Sequence, residues 1–95
     1  MFVVLLKFAN KARAADYMEA HKDWIKRGFD EGVFLMVGSL KPDLGGALLA
    51  HGTARTELEA RVNEDPFVAE GIVDAEILEI GPARMDQRLE FLLDQ

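Results

Sequence analysis

The sequence contains no cysteine, one tryptophan, one tyrosine and three prolines in 95 residues. Without cysteine there is no disulfide framework, no thiolate nucleophile, no iron–sulfur ligation and no Cys-bound zinc. A disulfide-stapled secreted scaffold is excluded with them, and a reducing, cytoplasmic compartment becomes the default expectation. Long apolar runs are missing as well. The opening stretch, residues 2–6, is interrupted by Lys7 and Asn10, too short for a signal-peptide core or a membrane span. Cationic side chains are in deficit, with 11 Lys and Arg against 17 Asp and Glu and a net charge of −6. Phosphate neutralisation needs a concentrated basic face, so no nucleic-acid partner is expected.

What remains is an ordinary globular composition, 49% hydrophobic with a mean hydropathy of zero. The length fits a single domain, residues 1–95, with a core over residues 1–82 and a tail over 83–95. So short a chain has a modest core, for which oligomerisation is a common remedy. Neither an internal repeat nor a low-complexity segment is evident.

The residues of 2–8, FVVLLKF, are dense in apolar and β-branched side chains and predict a central strand. Asn10 is suited to cap the helix that follows. Over residues 14–31, steps of 100° put Ala14, Tyr17, Met18, His21, Trp24, Ile25, Gly28 and Phe29 on one stripe, with charged residues opposite. Gly32 supplies a left-handed terminus. Residues 33–40 and 47–51 read as a hairpin, joined by the turn Pro42-Asp43-Leu44-Gly45-Gly46. Thr56-Glu57-Leu58-Glu59 matches a capping box for a second helix, with Leu58, Val62 and Ala54 inward. Pro66 ends that helix, residues 66–70 make a short turn, 72–80 a fourth strand and 84–93 a terminal helix.

The order β-α-β-β-α-β is that of an α+β, ferredoxin-like sheet with both helices on one face. Its other face then has no helix to cover it. The strands are apolar on both alternations, so two copies packed face to face as a dimeric α/β barrel are expected. The pattern alone does not tell which alternation faces the helices.

Two residues stand out for chemistry. His21 sits in the middle of the apolar stripe, where an imidazole is partly desolvated and its proton exchange can be tuned. The structural alternative is a buried histidine bonded to a backbone carbonyl. Asp65 precedes Pro66 and is an N-cap for a short helical turn, a role that accounts for it fully. Both helices share one sheet face, so its carboxylate can also reach His21 and fix the tautomer of the imidazole. Ser39, after Gly38 at the end of the second strand, is a ligand-contacting candidate or a plain strand-end polar residue. No Gly-x-Ser-x-Gly elbow surrounds it. His51 has no second ligand at metal-binding spacing, so no metal is expected. Gly45-Gly46 is read as a turn and not a phosphate loop, because no lysine or helix N-terminus follows.

His21 within the first helix, Gly38-Ser39 closing the second strand, Gly45-Gly46-Ala47 and Asp65-Pro66-Phe67 together resemble the YCII-related proteins over residues 1–82. Many of those proteins have Gly-Pro where this chain has Gly38-Ser39, a departure at the pocket lip. The resemblance implies a ferredoxin-like dimeric α/β barrel and a site built on His21 and Asp65. It further implies acid–base chemistry on a small polar or aromatic molecule or anion, without a cofactor. A dehydrochlorinase of a chlorinated hydroxyquinol is the family's rare member with an assigned reaction. The functional expectation is a lyase or isomerase; the alternative is a non-catalytic metabolite-binding or regulatory dimeric module.

Overall fold

Alternation along the first strand decides which side of the sheet carries the core. The computed structural model describes residues 1–94. Its first strand, β1 (Phe2–Phe8), pairs on both edges, with β3 (Gly45–Ala50) and with β4 (Val73–Glu79). Strand β2 (Phe34–Leu40) joins β3, and the order β2-β3-β1-β4 is antiparallel throughout. Helices α1 (Ala14–Asp30), α2 (Arg55–Asn63) and α3 (Pro66–Ala69) bury one face. This is the α+β, ferredoxin-like arrangement, with α3 where a simple turn was expected.

Phe2, Val4 and Leu6 face the helices and form one buried cluster with Phe34, Leu48, Ala50, Trp24, Leu58, Val62 and Phe67. Val3 and Leu5, one residue out of phase, are only half-buried. Val3 pairs with Leu49 and Leu78, and Leu49 in turn pairs with Met36. Since paired residues share a face, these apolar side chains line the side without helices. Leu78 and Met36 are exposed.

Local details depart from the pattern at several points. Asn10 does not cap α1 with its side chain: a 3-10 turn, Lys11–Arg13, intervenes, and Asn10 contributes only its carbonyl, to Arg13 N–H. Phe29, on the predicted inner stripe, is exposed and meets Phe34 edge-on. The hairpin turns at Lys41 to Leu44, so Gly45 and Gly46 open β3 instead of belonging to the turn. Gly45 has φ +135°, and a Cβ there would sit 2.0 Å from the Leu6 carbonyl oxygen. Glycine is required because β1 passes too close for any side chain. The box at Thr56 does not form: α2 starts at Arg55 with Ala54 as an N-cap lacking a side-chain bond, and Ala54 is exposed. Gly52, at φ +64°, turns the chain early and shifts the start. Leu58 and Val62 are buried as expected.

The tail is a 3-10 segment, Gln87–Asp94, and not a helix from Arg84. Asp86 starts it, accepting Arg88 N–H on Oδ1 and Leu89 N–H on its carbonyl. Leu92 is buried, while Leu89, Phe91 and Leu93 are exposed. Among the described residues no helix is long and apolar enough to cross a membrane.

Candidate active site

Helix α1 lies close against the sheet because Gly28 has no side chain; a Cβ there would fall 2.1 Å from the Phe34 ring. One turn earlier Trp24 is buried, and its indole N–H donates to the Arg61 carbonyl at 2.9 Å, which ties α1 to the end of α2. The rotation of α1 is thereby set, and it carries His21 toward the junction of α2 and α3.

At that junction the sequence Asp65-Pro66-Phe67 acts in three ways. Pro66 occupies the first helical position of α3, and Asp65 is the N-cap whose Oδ1 accepts the Phe67 N–H at 3.0 Å. The same Oδ1 lies 2.7 Å from His21 Nδ1. Phe67 turns back to stack its ring on the imidazole, with centroids 3.9 Å apart and planes within 3°. Trp24 is also nearly parallel to the imidazole, with ring centroids 6.0 Å apart.

His21 thus has three close neighbours. Phe67 stacks on its ring, Trp24 lies near-parallel to it, and a fully buried carboxylate engages Nδ1. With Nδ1–H donating to Asp65, Nε2 is the basic nitrogen of the neutral ring. The His21 side chain is 14% exposed, and it lines a cavity of about 320 Å³ between α1 and the strands. Asp65 Oδ2 is buried and has no hydrogen-bond partner. An ionised carboxylate so poor in donors relies on His21 for compensation.

Leu6, Met18, Ile25 and Val37 make the cavity apolar. Ser39 lines it from β2, opposite Gly46 in the register. Gly46 leaves the floor bare, since a Cβ there would meet only the Gly38 carbonyl oxygen, at 3.3 Å. Lys22 completes the wall beside His21.

Of the residues singled out in the sequence, His21 and Ser39 face one cavity, and Asp65 stands behind His21 in direct contact. His51 lies elsewhere, edge-on to Phe91 with a buried, unpartnered Nδ1. Among the described residues no group of three or more His, Asp or Glu side chains is arranged to hold a metal ion. Sequence reasoning missed the stacking role of Phe67 and the presence of Lys22. The first had a partial signal, because Phe67 stands two places after the N-cap aspartate, whose carboxylate accepts its backbone N–H. The second had none beyond adjacency to His21.

No curated protein matches the sequence. Among solved structures, the chain is similar to the 5-chloro-2-hydroxyhydroquinone dehydrochlorinase of Burkholderia phenoliruptrix AC1100, determined with 2,5-dihydroxybenzoquinone. Identity is 15%, the TM-score is 0.68, and the match covers 84% of this chain and 93% of that one. At this identity the likeness speaks to the fold. Sequence membership comes from the YCII-related domain model, which matches residues 1–81. That span takes in the whole sheet, α1 with His21, and the cap at Asp65, and the chain belongs to the YCII-related family.

Proposed function

We propose that this protein is a small-molecule enzyme of lyase or isomerase type in which His21 carries the proton and Asp65 holds the imidazole. The observation that supports this most is the 2.7 Å contact of Nδ1 with a wholly buried carboxylate, behind a ring that opens on a cavity. A base poised in this way acts at Nε2. In an elimination, Nε2 takes a proton from the ligand, and the freed C–H electron pair forms the new double bond. The leaving group departs with its own bonding pair. In an isomerisation, the same Nε2–H returns the proton at another atom. Neither path needs a cofactor. The imidazolium that forms between these steps is stabilised by Asp65. Ser39 is a ligand contact on the opposite wall.

The family's dehydrochlorinase makes a small polar aromatic molecule the first ligand to test. Two copies packed on the helix-free sheet face form the working unit, a reading supported by Val3, Leu5, Leu49 and Leu78 there. Sedimentation equilibrium is expected at about twice the 10.6 kDa chain mass. The absence of cysteine supports a cytoplasmic location, and the net charge of −6 supports partners other than nucleic acid.

One observation favours the binding-module reading: Asp65 Oδ1 also caps α3, so the pair has a structural use regardless of catalysis. Chloride release from 5-chloro-2-hydroxyhydroquinone separates the two. Turnover that falls roughly 10²–10⁴-fold in His21→Ala supports the enzyme. Ligand binding without turnover in the native protein rejects it in favour of the module.

A further inference from the structure

We propose that the ligand of this cavity is a planar ring bearing one oxyanion, a carboxylate or an ionised phenol, and that Lys22 selects it. The proposal rests on reading the cavity as a small-molecule site and adds the charge of what enters. Its starting point is an imbalance. The chain has 17 acidic side chains against 11 cationic ones, yet none of the acidic ones lines this cavity, and Lys22 is its permanently charged residue.

Lys22 is also available. Lys26, the next lysine along α1, pairs with Asp30, and Lys11 pairs with Asp43. Lys22 has no ion-pair partner among the described residues. Lys22 follows His21 directly and is exposed where it lines the cavity, whereas the His21 side chain is largely buried. A neutral ligand would leave that cation without a function in the site. An anionic one meets it, and meets it in surroundings that strengthen the pairing, because Leu6, Met18, Ile25 and Val37 displace water.

The buried charge of Asp65 makes the cation necessary. Its carboxylate lies behind His21 with Oδ2 unpartnered, so an oxyanion entering the cavity approaches a second negative charge through one imidazole ring. Like charges in low dielectric repel strongly. Lys22 offsets that repulsion at the mouth. The ring shape follows from the walls. His21 and Phe67 are stacked and both line the cavity, and Gly46 adds a lining residue without a side chain. A ring can lie there with its oxyanion turned to Lys22.

The test follows the ring protons of His21 by NMR during titration with benzoate, 4-nitrophenolate and the uncharged isostere benzamide. His51 serves as an internal reference that should not move. Benzoate or 4-nitrophenolate is expected to bind more tightly than benzamide, and which of the two does so tells carboxylate from phenolate. Lys22→Gln should weaken the anion about five- to tenfold, the worth of one partly exposed charged contact, and leave benzamide unchanged. Added salt should mimic the substitution in the native protein and have little effect in the variant. Lys26→Gln, one turn further along, should change nothing. If benzoate and benzamide bind alike, or Lys22→Gln keeps the full affinity for the anion while His21 still responds, the role of Lys22 is overturned and the cavity remains a ligand site. If no ring moves the His21 signals, both readings fail together.

Discussion

Leu48 and Leu49 are neighbours in one strand, chemically identical, and have opposite surroundings. Leu48 points under the helices and is fully buried; Leu49 points to the face without helices and is half-buried. The same division runs through the whole sheet. On one side Phe2, Val4, Leu6 and Leu48 belong to a buried core, and the cavity at His21 opens beside it. On the other, Val3, Leu5, Leu49, Leu78 and Met36 form an apolar surface with no helix above it. Burial within the chain holds the first side together. The second side has no such cover from the helices of the chain. A four-stranded sheet with helices on one side is therefore asymmetric by construction, and the proposed function uses that asymmetry, with the ligand on one face and association on the other.

The sharpest way to break this contrast is to shorten both leucines. Leu48→Ala should lose roughly 2–5 kcal/mol, the range for a fully buried leucine that leaves a cavity. Thermal unfolding should register this as a drop in Tm of more than about 8 °C. Next in size is Asp65→Ala, which removes the α3 cap and deprives His21 Nδ1 of its acceptor. A loss of roughly 2–4 kcal/mol in denaturant unfolding is expected. Asp65→Asn keeps a capping oxygen and should recover much of that loss while still taking the carboxylate away from His21 Nδ1. A smaller effect on the fold is expected of Leu49→Lys, below about 1 kcal/mol. Its effect on association is the informative one: sedimentation should return the mass of one chain. A fold as sensitive at Leu49 as at Leu48 would end the distinction between the faces.

The smallest effect concerns the tail. Arg88, through its guanidinium and then its backbone N–H, holds the Asp86 carboxyl below the ordinary carboxylate range. A carboxylate whose folded value is depressed contributes above its unfolded value and stops contributing as pH falls through the folded one. Acidification should therefore loosen the start of the terminal 3-10 segment while the sheet persists. The Arg88 amide resonance should follow this change, and Asp86→Asn should remove the pH dependence.

Much of this was legible in the sequence because it rests on periodicity. The 100° stripe of α1 located His21, and the Asp-Pro-Phe spacing located the cap. The departures come from contacts between distant residues. Which face of β1 is covered depends on where α1 and α2 land, and both of its alternations are apolar. Gly45 belongs to a strand because the Leu6 carbonyl passes 2.0 Å from where its Cβ would be, a constraint invisible from local turn chemistry. The Thr56 box was displaced by the turn at Gly52. In the tail, the cap at Asp86 starts a 3-10 segment at Gln87 where helical pattern alone predicts an earlier and regular helix. For the site, type and partner of the histidine were readable, whereas the stack with Phe67 and the neighbouring lysine required the folded chain.

The shared oxygen of Asp65 has one more consequence, in time. Helix α3 is four residues long, too short to persist without its cap, so its fraying and the release of His21 are the same event. Short elements of this kind open locally, well before the fold as a whole. The Phe67 amide donates to that oxygen, and its rate of exchange with deuterated solvent measures how often the imidazole loses its anchor. A Phe67 amide that exchanges only with global unfolding would mean that His21 is held for the lifetime of the native state.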